Sequence, residues 1–172
     1  MLDVALIKRL FKALNDELKK KDVLGEIGIC GGAVMCLVYH ARAATKDVDA
    51  IFKPTKEIRE ASQRVASLFG LEKNWLNDAV KAHFHVDPPR EDVLQLSNLR
   101  VWAPSAEYML AMKCVSARFD TFDKDDTKFL ISYLKLTKPE QVFAIISKYY
   151  PHERVPAKTQ FLIEELVDQT PP

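Results

Sequence analysis

The segment from Glu26 to Phe52 changes its hydrophobic period twice, and this limits the possible folds more than any other part of the chain. It begins with a short apolar run that is typical of a buried strand and leads into the pair Gly31-Gly32. The apolar run Ala33–Tyr39 predicts a helix, so the two glycines are expected at the strand-to-helix turn. After a polar loop, Asp47–Phe52 alternates with a period of two, which predicts a second strand.

Strand patterns are confined to the part of the chain that ends at Trp102. Val93–Leu96 and Leu99–Trp102 predict a strand pair turned at Ser97-Asn98, while residues 71–91 predict a loop with a short helix or strand. Helical periodicity marks six segments: residues 3–21, 55–69, 104–118, 123–134, 138–150 and 158–167. The order predicts an α+β fold with a short mixed sheet, in which a core of residues 1–102 is followed by a helical C-terminal part, 103–172, packed on it as one compact unit.

Four residues mark the ends of these predicted helices. Thr55 is a candidate N-cap, and Gly70 is well placed to end the same helix. Pro104 and Pro139 are each expected in the first turn of a helix, where proline costs no hydrogen bond.

Composition narrows the class of protein. The 25 Lys and Arg nearly balance the 24 Asp and Glu, so no overall basic field indicates nucleic-acid binding. Cys30, Cys36 and Cys114 lie among apolar neighbours and form no C-x-x-C pair, as expected of buried, reduced thiols. No window offers about 18 uninterrupted apolar residues, so we expect a cytoplasmic protein with no membrane partner.

The glycine pair and the carboxylates after it have complementary chemistry. Glycines before a helix allow close approach to the backbone and leave N–H groups that can bind phosphate. Asp47 and Asp49, at i and i+2 on a strand, project to one face about 7 Å apart, so both can reach divalent cations. Together these features favour a site for a metal and a nucleotide, whereas either half alone is a weak signal.

The order of these residues resembles the nucleotidyltransferase superfamily. The family pattern is hG[GS], a helix, and [DE]h[DE]h on the next strand. Here Gly31-Gly32 is followed, 15 residues after Gly32, by Asp47 and Asp49, with Thr45 two residues before the first aspartate. The fold implied by the resemblance is a nucleotidyltransferase-like α/β core.

The second half resembles one subgroup, the AbiEii-like and related minimal bacterial nucleotidyltransferases of toxin–antitoxin and phage-defence loci. The stretches AEYMLAMKCVSAR and FDKDDTKFL are similar to that subgroup's signature. The matching residues are Glu107, Lys113, Arg118, Asp123 and Asp126. The resemblance covers roughly residues 25–135.

The resemblance implies roles for particular residues. Asp47 and Asp49 would bind the metal ions, Mg²⁺ or Mn²⁺, and Gly31 and Gly32 would hold the triphosphate of the NTP substrate. Lys113 would reach a phosphate group.

Asp126 would complete this site or orient Lys113. The implied reaction is transfer of a nucleoside monophosphate from an NTP to an acceptor hydroxyl on RNA or protein. The implied setting is a toxin–antitoxin or defence system, with a cognate toxin or antitoxin as a possible partner.

Two departures from the family pattern leave an alternative open. Phe122 stands where relatives often carry Arg, and no third carboxylate is evident on a further strand, although Asp78, Asp87 and Asp92 are candidates. The alternative is a catalytically silent module of the same fold that acts through contact with a toxin or antitoxin.

Two further signals in the sequence are weaker. His83 and His85 have the two-residue spacing of metal ligands on a strand, but no second cluster accompanies them, so a packed or exposed pair is favoured over a hydrolytic metal site. Arg42 precedes Asp47 in a loop, and because loop arginines are common it is assigned no role in phosphate binding.

Overall fold

The computed structural model describes residues 1–116 and 121–169. Its α-helices are α1 (Val4–Lys19), α2 (Gly31–Leu37), α3 (Thr55–Phe69), α4 (Ala106–Ser116), α5 (Thr121–Tyr133), α6 (Pro139–Tyr149) and α7 (Ala157–Asp168). Its strands are β1 (Leu2–Asp3), β2 (Gly25–Ile29), β3 (Ala44–Thr45), β4 (Val48–Lys53), β5 (Leu76–Asn77), β6 (Arg90–Gln95) and β7 (Leu99–Pro104). Short 3₁₀ helices cover Ala79–His83 and His152–Arg154.

The main sheet is mixed, with the strand order β5-β4-β2-β7-β6. The central strand β2 runs antiparallel to β4 and parallel to β7. β5 pairs parallel to β4, and β6 pairs antiparallel to β7. β1 and β3 pair with each other and form a separate two-stranded sheet, which ties the first residues of the chain to Ala44–Thr45.

The chain divides into two compact units. Unit 1 consists of Met1–Lys81 and Arg90–Pro104, and unit 2 consists of Ala82–Pro89 and the residues from Ser105 onward. Both sheets and α1 to α3 therefore lie in unit 1, and α4 to α7 lie in unit 2.

In unit 1, α1 and α3 pack on each other and on the sheet. Asp3 caps α1 by accepting a hydrogen bond from the amide of Leu6 at 2.8 Å. The buried apolar residues of α1 recur at helical spacing: Ile7, Leu10, Phe11, Leu14 and Leu18. Gly25 of β2 lies against this layer, since a methyl group there would be 2.7 Å from Leu18 and 3.3 Å from Ile58.

In unit 2, α4 packs against α5 and α6, and α7 packs against α5 and α6. The helix α4 is buried along most of its length, including Tyr108, Met109 and Leu110. Tyr108 meets Tyr149 edge to face with ring centroids 5.0 Å apart. No helix within residues 1–116 or 121–169 is long and apolar enough to cross a membrane.

The predicted α+β class with a helical C-terminal part is confirmed. The third helix has the predicted bounds, 55–69, and ends at Gly70 in the left-handed conformation. Pro139 is in the first turn of α6 as predicted. Residues 71–91 contain the short strand β5 and a 3₁₀ helix.

Two local predictions are wrong. Pro104 is the last residue of β7 rather than part of the first turn of α4, because the strand continues in pairing with Arg90 of β6. Thr55 is the first residue of α3 and Pro54 is its N-cap. Gly31 and Gly32 follow β2 after the single residue Cys30 and begin α2, so they lie at the strand-to-helix turn as predicted.

Candidate functional site

The two glycines follow the central strand directly. β2 ends at Ile29, and the backbone amide of Cys30 donates to the carbonyl of Asp49 at 2.8 Å, which ties the end of β2 to β4. Gly31 then has φ of +57°, in the left-handed region that glycine adopts without strain. The chain can therefore turn sharply from strand to helix beside Asp49.

Asp49 lies against the first glycine. A methyl group built on Gly31 would be 3.2 Å from Oδ2 of Asp49, so the carboxylate and the glycine backbone are neighbours. Asp49 is half-buried on β4. Asp47 is half-buried as well, but β4 begins at Val48, so Asp47 precedes the strand that was predicted to contain it.

Thr45 and Arg42 lie against the second glycine. A methyl group on Gly32 would overlap Oγ1 of Thr45 and would be 3.4 Å from Nη1 of Arg42. Thr45 is buried and is held in β3 by pairing with Leu2 of β1. The sequence offers Thr45 only as a motif position and no role for Arg42. No pattern in the sequence indicates that either residue lies close to Gly32.

The three candidates for a third carboxylate have different surroundings. Asp78 accepts a hydrogen bond from Arg59 at 2.9 Å, and Asp92 is exposed on β6 at the edge of the sheet. Asp87 belongs to unit 2. None of the three is in register with Asp49.

The residue in register with Asp49 is Asn77 of β5. Paired residues of neighbouring strands lie on the same face of a sheet, so this register places an amide side chain beside the Asp49 carboxylate. The Oδ1 of Asn77 accepts from the amide of Ala79 at 3.1 Å. Carboxylate and carbonyl oxygens are ligands that Mg²⁺ accepts, and Asp49 and Asn77 offer one of each kind.

Unit 2 contains a second cluster of predicted residues. The Nζ of Lys113 on α4 is 2.8 Å from Asp123 and 2.7 Å from Asp126, both on α5. The Lys113 side chain is 7% exposed and that of Asp126 is 3% exposed. A buried lysine needs such partners, because removing an ammonium group from water is otherwise very costly.

Other residues of the subgroup signature have structural partners. The ammonium group of Lys148 donates to Glu107 at 2.8 Å and holds the pKa of that carboxyl below its usual range. Burial raises the pKa of the Cys114 thiol, which follows Lys113 on α4, to about 12, and this disfavours the reactive thiolate. Arg118 lies outside the described residues.

The histidine pair lies in the part of unit 2 that precedes β6. The backbone carbonyl of His83 accepts a hydrogen bond from the hydroxyl of Tyr150 at 2.7 Å, and the ring of His85 stacks on the Tyr150 ring. Within residues 1–116 and 121–169, no three His, Cys, Asp or Glu side chains are grouped to hold a metal ion.

The two glycines are adjoined by side chains of opposite charge. Gly31 adjoins the carboxylate of Asp49, and Gly32 adjoins the hydroxyl of Thr45 and the guanidinium of Arg42. Comparison of the chain with protein-family models, with curated proteins and with solved structures finds no match.

Proposed function

We propose that the chain is a Mg²⁺-dependent nucleotidyltransferase that moves a nucleoside monophosphate from an NTP to an acceptor hydroxyl with release of pyrophosphate. The observation that carries the proposal is the position of the Asp49 carboxylate, 3.2 Å from where a side chain on Gly31 would begin. Phosphate oxygens could approach the glycine backbone on one side, and a cation could be held by the carboxylate on the other.

The chain's own residues bind and orient the substrate. Gly31 and Gly32 provide amides in the first turn of α2, where N–H groups have no partner within the helix. Thr45 adds a hydroxyl beside Gly32. Mg²⁺ or Mn²⁺ held by Asp47 and Asp49 would neutralise charge on the phosphates and orient the attacking hydroxyl.

The resemblance to the minimal bacterial subgroup adds Lys113 and Asp126 to the proposal. Lys113 would bind a phosphate group, and Asp126 would hold the lysine in position. The short contact between them, 2.7 Å, supports the orienting role of Asp126. No side-chain nucleophile is needed, since positioning and charge stabilisation account for most phosphoryl-transfer catalysis.

The acceptor in this proposal is a hydroxyl of RNA or of a protein in a toxin–antitoxin or defence setting. The three cysteines are buried thiols, which suits a reducing compartment such as the bacterial cytoplasm. A second function, a silent binding module that acts as a toxin or antitoxin partner, is favoured by one observation. Asp78, the candidate third carboxylate that directly follows β5, is paired with Arg59.

A labelling assay tests the proposal. The wild-type protein is incubated with each α-³²P-labelled NTP, Mg²⁺, total RNA and a bacterial lysate. We expect label on RNA or protein, with a loss of at least about 100-fold for Asp49→Asn, because charge stabilisation of the phosphates is typically worth that much.

Asp22→Asn is the matched control, since it makes the same change at an exposed aspartate of unit 1. It is expected to label as the wild type does. If the wild type transfers no more label than the double variant Asp47→Ala/Asp49→Ala, the enzyme proposal is wrong. Binding of a partner that survives in this double variant would then favour the silent module.

A further inference from the structure

Arg42 lies beside the glycine pair because the chain reverses direction directly after α2. His40 has φ of +52°, and the amide of Ala41 donates back to the carbonyl of Met35 at 2.8 Å. This turn directs the next residues back toward the start of α2, and Nη1 of Arg42 comes to 3.4 Å from where a side chain on Gly32 would begin.

The segment that carries Arg42 is fixed at its other end. Two residues later the chain enters β3, where Ala44 pairs with Asp3 and Thr45 pairs with Leu2. Thr45 is 5% exposed and lies against the same glycine as Arg42. The guanidinium is therefore carried by a short segment anchored on both sides rather than by a long free loop.

The two glycines have neighbours of opposite charge. Asp49 adjoins Gly31, and Arg42 adjoins Gly32. A side chain on Gly32 would overlap Oγ1 of Thr45 and approach Nη1 of Arg42, so glycine is what allows both side chains to pack this closely on the backbone. The guanidinium that lies beside Gly32 carries forked N–H donors, and these match the oxygens of a phosphate group.

We propose that Arg42 binds a phosphate group of the substrate triphosphate and is thus a substrate-binding residue of this chain. The inference rests on the proposed function and specifies which side chain supplies positive charge in unit 1. In a metal–triphosphate, Asp49 would bind the cation and Arg42 would bind the phosphate oxygens. A purely structural Arg42 would stabilise its loop and leave affinity for phosphate unchanged.

Inorganic tripolyphosphate with Mg²⁺ is the first probe, because it reports phosphate binding without any choice of base. Binding is measured by calorimetry for the wild type, Arg42→Gln and Arg42→Lys. Arg42→Gln is expected to weaken binding about 10- to 100-fold, the range of a charge-assisted hydrogen bond. Arg42→Lys retains the charge but not the fork, so its affinity should fall between the other two.

Lys56→Gln is the matched control, as it removes one positive charge from an exposed site at the start of α3. It should bind tripolyphosphate as the wild type does. Thermal unfolding of each variant shows whether the fold is retained, and Arg42→Lys serves as the test if Arg42→Gln does not fold.

The outcomes separate this inference from the proposed function. If the wild type transfers label from NTPs and Arg42→Gln or a folded Arg42→Lys binds tripolyphosphate with unchanged affinity, the Arg42 assignment is wrong and the proposed function stands. If the wild type binds neither tripolyphosphate nor any of the four NTPs, both are wrong. Equal weakening by Lys56→Gln would indicate general charge attraction and would also overturn the assignment.

Discussion

Gly31 and Gly70 have nearly the same backbone conformation but different neighbours. Their φ values are +57° and +65°, and alanine in this region costs about 1–2 kcal/mol. A methyl group on Gly31 would be 3.2 Å from the Asp49 carboxylate, whereas one on Gly70 would meet nothing within 4 Å. The pair therefore separates the cost of the backbone conformation from any effect on the site.

We predict that Gly31→Ala and Gly70→Ala lower the free energy of unfolding by similar amounts, about 1–2 kcal/mol each, measured by urea titration. Only Gly31→Ala should also reduce label transfer, by at least about tenfold, since displacing a positioned group by a fraction of an ångström is costly. Equal transfer by the two variants would show that contact with Asp49 has no part in the reaction.

Helices and strands that are long enough to show a hydrophobic period could be predicted from the sequence. α3 was predicted to the residue because its apolar positions repeat over four turns and Gly70 marks its end. β1 and β3 were not predicted, because strands of two residues have no period and their pairing joins distant segments. Contacts in the candidate site that depend on such pairing are equally hard to predict from the sequence.

The candidate site shows which features escape sequence reasoning. Gly31 and Asp49 could be brought together from the sequence because the strand-helix-strand order implies neighbouring strands. Asn77 could not, since its position beside Asp49 depends on the register between β4 and the two-residue strand β5. The packing of the Trp102 ring on Gly28, where any side chain would overlap the ring, could not be predicted either.

The contact between α4 and α5 depends on a buried lysine. We predict that Lys113→Met lowers the free energy of unfolding by about 3–5 kcal/mol, because it removes the buried cation that Asp126 contacts at 2.7 Å. Asp126→Asn should cost less, since Lys113 keeps its contact with Asp123. Urea titration of the three proteins measures the order.

The control for this change is Lys124→Met, which removes a lysine whose side chain is 39% exposed and paired with Glu165. Surface changes of this kind are usually within about 0.5 kcal/mol of neutral. If Lys113→Met is as stable as Lys124→Met, the buried cluster does not stabilise unit 2. Label transfer by Lys113→Met well below its unfolding temperature then tests the proposed phosphate contact separately.

The chain passes between the two units three times. It enters unit 2 at Ala82, returns to unit 1 at Arg90 and leaves again after Pro104. The segment Ala82–Pro89 is held in unit 2 by two tyrosines: Tyr108 donates to the carbonyl of Val86 at 3.1 Å, and Tyr150 donates to that of His83 at 2.7 Å. These hydroxyls fix a segment that includes no α-helix or strand.

We predict that Tyr108→Phe and Tyr150→Phe loosen this segment and leave both aromatic rings in place. Each lost hydrogen bond is worth about 1 kcal/mol, so the open state should become about fivefold more populated. Trypsin cleavage after the exposed Lys81, at the entry to the segment, measures this population when opening is fast compared with cleavage. Tyr133→Phe is the control because its side chain is 56% exposed; cleavage at the wild-type rate in all three variants would mean that the hydroxyls do not hold the segment.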